Sequence, residues 1–409
     1  DKDETDESLL YPKRNTTDES FTFIIKELKE AADLLPVTYS GDNWGRITKG
    51  AALAYCARIQ LYRASPMFNP SNEKKYWEDA YDTYKDVIGL DVYDLHPTFS
   101  DIWKEKGENN KEIIWFKDYK KGTITHGWDA GNMMRSQAVG DATANCPVQE
   151  LVDAFPMKDG TPYVKSNPET NPYDYRDPRL RETVVWNGDT YGPRKEKVYT
   201  FVSESTDPNS PMYNFDGIDS HQSATSTGYY MRKMKDESLD GTKGDYGYGK
   251  GSYTQWVELR YAEVLLGLAE AANEIGETEE GVEQIKLIRK RAGILPGENK
   301  RYGIPENISV DDFRTLVQNE RYIELAFEDK RYWDLRRWKL AHLKLNNQLT
   351  AMEIRKKING EEISYTYTRR VQRHDKTNKP VFLEKFYFLP LPKEELLRNP
   401  NLEQNEEWK

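Results

Sequence analysis

Apolar residues recur at three- and four-residue steps in two blocks of the chain and lose that rhythm between them. The first predicted helix covers residues 17–35. Thr16 and Glu19 stand at capping-box spacing ahead of it. Phe21, Ile24, Ile25, Leu28, Ala31 and Ala32 form its stripe, and Pro36 ends it. The next helix covers 48–64, where Ala51, Ala52, Ala54, Tyr55, Ile59 and Tyr62 suit close packing and Ser65-Pro66 is the stop. A third covers 73–88, with Ser71 as its cap and Trp77, Ala80, Tyr81, Tyr84 and Val87 as its stripe. The second and third make an antiparallel hairpin.

The same rhythm returns late. Residues 256–275 read as one helix, because Trp256, Leu259, Ala262, Glu263, Leu266, Ala269, Glu270 and Asn273 fall on successive turns. A turn at Gly276-Glu277-Thr278 leads into a helix over 280–292, and Ser309 and Asp311 open another that runs to about Phe327. Hairpins of this size with small inner residues are tetratricopeptide-like, although the full consensus is not met.

The middle, 91–252, is rich in Pro, Gly, Asn, Asp and aromatics. Short β-like runs stand at 112–116, 183–186 and 197–202, and an amphipathic piece at 147–155 reads as helical. A loop region this long in a compact protein usually carries function. Its loosest part is 236–252. After Leu345 the chain turns irregular, with an apolar extended run at 381–391 broken by Pro390 and Pro392. The chain therefore divides into a helical block at 16–90, a loop-rich ligand-binding region at 91–252, a second helical block at 253–345 and an irregular C-terminal region at 346–409 that packs on the repeats. The fold class is mainly α, with a few short strands.

Composition narrows the function. The 409 residues hold 37% hydrophobic and 31% charged side chains, and no apolar run approaches the roughly 20 residues of a membrane helix. Net charge is −10 with a pI near 5.3, where a nucleic-acid binder would carry a basic footprint. The two cysteines, Cys56 and Cys146, form no CxxC pair, and Cys56 reads as a small buried residue. The 27 Tyr, 10 Trp and 13 Phe concentrate in loop stretches, which fits ligand capture and equally fits a fold held by aromatic packing.

Motifs for catalysis are weak. Gly244-Asp-Tyr-Gly-Tyr-Gly249-Lys250 has phosphate-loop spacing, but Gly251 stands where Mg²⁺ coordination needs Ser or Thr, and no apolar strand precedes it. The five histidines, His96, His126, His221, His342 and His374, never fall within one helical turn of each other, so HExxH chemistry is absent. No GxSxG elbow exists. With 69 Asp and Glu, sequence nominates no glycosidase pair. The run 331–338 looks like a binding site, with Trp333, Arg337 and Lys344 on one side. Arg and Trp stacking with carboxylate pairing, which locks a helix end, is the stronger reading.

Several segments in order resemble the SusD/RagB family: 45–62 (GRITKGAALAYCARIQLY), 148–155 (VQELVDAF) with the Asp159-Gly160 turn, 228–233 (GYYMRK), 259–266 (LRYAEVLL), 319–328 (NERYIELAFE) continuing through 331–338 (RYWDLRRW), and 388–392 (FLPLP) followed by 399–405 (NPNLEQN). The resemblance implies a helical fold with four tetratricopeptide-like hairpins as a platform. It implies a non-catalytic protein that captures glycan for a SusC-like TonB-dependent transporter at the outer face of the outer membrane, held there by a lipid anchor. The RagB branch of the family implies peptide as the alternative ligand, and a helical glycoside hydrolase is a remote one. The chain begins at Asp1, with no lipidation Cys or apolar leader near it, and lacks the N-terminal segment usual in the family.

Contacting residues diverge within that family, so the candidates come from texture. A sugar presents apolar C–H faces and hydroxyls, and it wants an aromatic platform beside Asn, Asp or Arg. Residues 125–132 (THGWDAGN) offer His126, Trp128 and Asn132, and 186–191 (WNGDTY) offers Trp186, Asn187 and Tyr191. For each Trp, core packing stays open as the other reading. Trp77, Trp103, Trp115, Trp256 and Trp333 are read as core. No catalytic residue and no cofactor is expected, and a structural Ca²⁺ in the Asp/Asn-rich loops is left open.

Overall fold

The computed structural model describes residues 10–137, 143–166, 171–245, 251–373 and 380–409. His374 and residues 246–250 of the glycine-rich run lie outside that set.

Three helices open the chain: α1 Thr17–Leu34, α2 Lys49–Ala64 and α3 Lys74–Gly89. The capping box at α1 forms as its spacing predicts, with Thr16 Oγ1 accepting from Glu19 N at 3.2 Å and Glu19 accepting from Thr16 N at 2.8 Å. Thr48 caps α2 in the same way, accepting from Ala51 N. Ser71 does not cap α3. No side chain caps it; Asn69 instead holds the residue at the cap position, accepting from Glu73 N at 2.8 Å while its amide nitrogen donates to Ala64 O and Glu73 O.

The middle region carries strand β1 Ile113–Lys117, short helices α4 Trp128–Gly131, α5 Gln149–Ala154 and α6 Pro178–Thr183, and the two-residue strands β2 Val184–Val185, β3 Thr190–Tyr191, β4 Glu196–Lys197 and β5 Tyr230–Met231. The run at 197–202 is a strand only at its first residue; beyond it the backbone bonds to several segments in turn, Val198 to Gly188 and Asp189, Thr200 to Ile218 and Val202 to Ile354, with the Asn187 and Asn214 side chains filling between.

Residues 256–275 are not one helix. Trp256–Arg260 is strand β6, antiparallel to β1, and α7 begins at Tyr261 and ends at Ile275. The misreading came from period. Val257 and Leu259 are buried while Trp256 and Glu258 reach the surface, a two-residue alternation that a helical stripe can imitate over one turn. Helices α8 Thr278–Ala292 and α9 Val310–Glu324 follow, then α10 Arg331–Arg337 and α11 Ala341–Lys344.

The C-terminal region is not irregular throughout. Strands β7 Thr350–Asn359 and β8 Glu362–Val371 form a ten-pair antiparallel hairpin turning at Gly360-Glu361. The Asn359-Gly360 dipeptide inside an alternating run is the local hairpin signal for this turn. Helix α12 Lys393–Arg398 stands alone near the end.

α7 is the keel. It is buried on all sides from Ala262 to Asn273, with the carboxylates it carries inward, Glu263 and Glu270, paired to Arg58 and Arg337. Val264, Leu268 and Ala271 join the core of α1, α2 and α3, whereas Leu265, Leu266 and Ala269 join that of α8 and α9. Gly267 lets α3 approach, since a Cβ there would meet the Tyr84 ring at 2.2 Å. The hairpin packs Met352, Ile354 and Tyr367 against Phe155, Leu180, Phe201 and Ile323, tying the middle region to α9.

The segment NERYIELAFE and its neighbours build buried ion networks. Arg260 binds Glu112 at 2.7 Å, Glu324 at 2.8 Å and Glu328 at 2.7 Å. Arg179 binds Asp177, Glu320 and Glu324 at 2.6 to 2.7 Å. Lys233 reaches Glu328, Arg289 reaches Glu320, and Arg291 reaches Glu112 and Glu324. Five cations thus face five carboxylates, all with buried side chains. A second set joins Arg337 to Glu270 and Asp334, and Asp334 to Arg321. The run 331–338 is therefore a lock on α7 at Arg337, and Trp338 completes it with Nε1 donating to Glu270 at 2.7 Å. Burial alone would raise the Glu324 carboxyl, but Arg291, Arg260, Arg179 and Lys233 hold it well below the ordinary range.

Candidate functional site

The β1–β6 ribbon carries a group of half-exposed aromatic rings. In an ideal ladder Trp115 and Phe116 would point to opposite faces. The pairing register slips on either side of Trp115, a bulge-like irregularity that turns a strand and re-aims its side chains. Both rings consequently stand half-exposed.

Two clefts meet at Phe116. The smaller, about 300 Å³, is lined by Tyr55, Trp115, Phe116, Lys117, Trp256 and Glu258. Tyr55, from α2, meets Trp115 edge to face at 5.8 Å. The larger, about 380 Å³, lies between the 37–48 loop, Tyr93 and β1. Trp44 closes on Phe116 there at 4.9 Å, and Arg46 and Lys111 stand at the rim. Thr48 Oγ1 and Tyr93 Oη share a hydrogen bond of 3.2 Å on its wall.

Gln255 lines the larger cleft and is 2% exposed. Its backbone N–H donates to Trp103 O at 3.0 Å, which fixes the residue. Among the described residues neither the oxygen nor the nitrogen of its carboxamide has a hydrogen-bond partner. A buried amide left this way costs about 1–3 kcal/mol unless something supplies a donor and an acceptor. An amide between aromatic walls can accept from one hydroxyl and donate to another.

The six sequence candidates divide. His126 and Trp128 support the cleft from behind. Trp128 packs edge to face on Trp256 at 5.6 Å, and His126 packs on Tyr119 at 4.4 Å, with its Nε2 3.0 Å from Thr254 O. Asn132 is buried and fully engaged: its nitrogen donates to Trp128 O, and its oxygen accepts from Asn145. Trp186 stands elsewhere, stacked on Tyr173 at 4.9 Å over the hairpin core. Asn187 is buried, its oxygen accepting from Thr200 N at 3.0 Å. Tyr191 is 1% exposed inside a core of Met133, Met134, Val185, Val198 and Tyr230. Asn132, Asn187 and Tyr191 are thus all buried in this structure.

The residues read as core also divide. Trp77 and Trp103 are buried. Trp115 and Trp256 line the smaller cleft, and Trp333 is 44% exposed on α10, where it meets Tyr332 and Arg336. Trp44 escaped notice although Gly41-Asp-Asn-Trp44-Gly45 has the very texture that singled out Trp128. Gln255 has no signal in sequence, since orphaned amides exist only in folds.

Among the described residues no group of three or more His, Cys, Asp and Glu is placed to hold a metal ion. No described helix is long and apolar enough to cross a membrane.

Residues 111–408 match the SusD family. SusD-like protein P2 of Formosa agariphila is 37% identical over 395 residues, which is 95% of this chain and 64% of that protein. The chain thus spans less than two thirds of that relative's length. A SusD-like protein of Bacteroides fragilis has a similar solved structure, with TM-score 0.69 and 26% identity over 96% of this chain and 72% of that one. A SusD-like carbohydrate binding protein of the same organism aligns with TM-score 0.74 and 23% identity over 98% and 74%. Surface glycan-binding protein A of Bacteroides uniformis aligns with TM-score 0.59 and 20% identity over 95% and 69%.

Proposed function

The chain belongs to the SusD family, and from that premise we propose that it is a non-catalytic glycan-binding protein, capturing oligosaccharide in the clefts around Phe116. It would hand the captured ligand to a SusC-like TonB-dependent transporter, at the outer face of the outer membrane and on a lipid anchor. The observation that carries the reading is the set of half-exposed rings shared by the two clefts, Trp44 on Phe116 at 4.9 Å and Tyr55 on Trp115 at 5.8 Å, with the polar side chains Gln255, Thr48 and Tyr93 in the larger cleft's lining. A pyranose matches both parts, because its C–H face packs on a ring while its hydroxyls both donate and accept. Affinity concentrates in such aromatic anchors. The names of the two glycan- and carbohydrate-binding neighbours agree with the reading.

Native gel retardation through a panel of polysaccharides tests it, with Trp115→Ala and Trp256→Ala run beside the parent chain. Retardation by one polysaccharide, weakened about tenfold or more in either variant, is the expected result. Retardation by none of the panel would overturn the glycan reading and move the assignment to peptide.

A further inference from the structure

The smaller cleft opens beside the basic end of β1, and from this we infer that the captured glycan is anionic, bearing carboxylate or sulfate groups. The inference rests on the glycan reading of the cleft. The chain as a whole is acidic, with net charge −10. Against that background, residues 117–121 read Lys-Asp-Tyr-Lys-Lys. The one carboxylate among them, Asp118, is taken by Lys106 at 2.7 Å. Among the described residues no carboxylate pairs with Lys117, Lys120 or Lys121.

Two of these lysines are positioned by rings. Lys117 lines the cleft with Trp115, Phe116 and Trp256, pairs with Trp256 across the ribbon, and holds its ammonium 5.2 Å from the Tyr119 ring. Lys121 stands 5.7 Å from the Tyr253 ring, which Lys106 approaches at 5.6 Å. Cation–π contact orients an ammonium without neutralising it. The carboxylate of the facing wall is spent, since Glu258 binds Arg58 at 2.7 Å and Lys330 at 3.2 Å. The larger cleft is balanced, with Arg46 and Lys111 against Asp91 and Glu108. An aromatic floor with the uncompensated Lys117 ammonium in its lining, and two more unpaired lysines three and four positions along the chain, fits a sugar whose ring stacks while its acid group takes a charge-assisted hydrogen bond. Such contacts weaken with salt.

The test is affinity electrophoresis through neutral polysaccharides (starch, laminarin), carboxylated ones (polygalacturonate, alginate) and sulfated ones (carrageenan, chondroitin sulfate), at low and high NaCl. The variants are Lys117→Gln/Lys121→Gln and, as a control of equal charge change, Lys26→Gln/Lys29→Gln on α1. The expected result is retardation by a carboxylated or a sulfated polymer. That retardation falls with salt and weakens about tenfold in the Lys117/Lys121 variant only; the arm that responds tells carboxylate from sulfate. Retardation by a neutral polymer alone, unchanged in the Lys117/Lys121 variant, overturns the anionic inference and leaves the glycan reading standing. Equal losses in both lysine variants, which would report net charge alone, overturn it too. Retardation by nothing overturns the glycan reading and this inference together.

Discussion

Gln255 gives the sharpest expectation at the scale of single residues. A structural amide is missed when it is removed, but this one has no partner to lose. Gln255→Met keeps the volume and takes away the unsatisfied groups, so melting temperature should hold or rise, by the equivalent of about 1 kcal/mol. Glycan affinity should fall about tenfold, read by titration calorimetry. A variant that lost stability along with affinity would mark Gln255 as a structural residue. The comparison of Trp128 with Trp44 shows what sequence could resolve here. Texture found the neighbourhood, because a Trp among Gly, Asn and Asp sits in a loop. It did not tell the ring facing solvent from the ring behind it. That difference is set by contacts with distant elements, Trp44 against Phe116 of β1 and Trp128 against Trp256 of β6.

Elements with a helical period and a cap were legible because their determinants are local. Thr16 and Ser309 cap as their positions predict, and Thr48, read as the first helical residue, is the cap of α2. The β6 strand was not, since its partner β1 lies over a hundred positions away and only pairing separates a five-residue alternation from a helical turn. Helix packing makes its own prediction. Gly267 on α7 lies under the Tyr84 ring of α3, and a methyl group there must push back a ring that is 2% exposed. Gly267→Ala should cost about 1–3 kcal/mol by chemical denaturation, despite the better helix propensity of Ala. A stability gain from the substitution would mean that α3 and α7 are not held this closely.

Across the whole molecule, the ion networks explain why motifs that resemble a binding site in sequence are structural. A buried arginine with one carboxylate removed costs about 3–5 kcal/mol, so the residues of 319–328 and 331–338 depend on one another through the core. Glu320, Glu324, Glu328 and Asp334 are all held below their ordinary values, with burial opposing and arginines prevailing. A carboxylate with a depressed native value binds protons more readily unfolded. Its contribution is therefore complete above the unfolded value, 4.5 for glutamate, and is lost as pH falls below that. Melting temperature should stay level from pH 7 to about 5.5 and drop by roughly 3 °C by pH 4 on account of these four groups. A flat profile to pH 4 would show that the networks contribute little.

The central claim, that ligand covers the rings around Phe116, is tested most directly by hydroxyl-radical footprinting with and without the polysaccharide that retards the chain. Oxidation of Trp44, Trp115 and Trp256 should fall on binding, while Trp333, exposed on α10, stays as reactive as before. Protection at Trp186 and Tyr365 with the ribbon rings unchanged would place the ligand on the hairpin face and contradict the account.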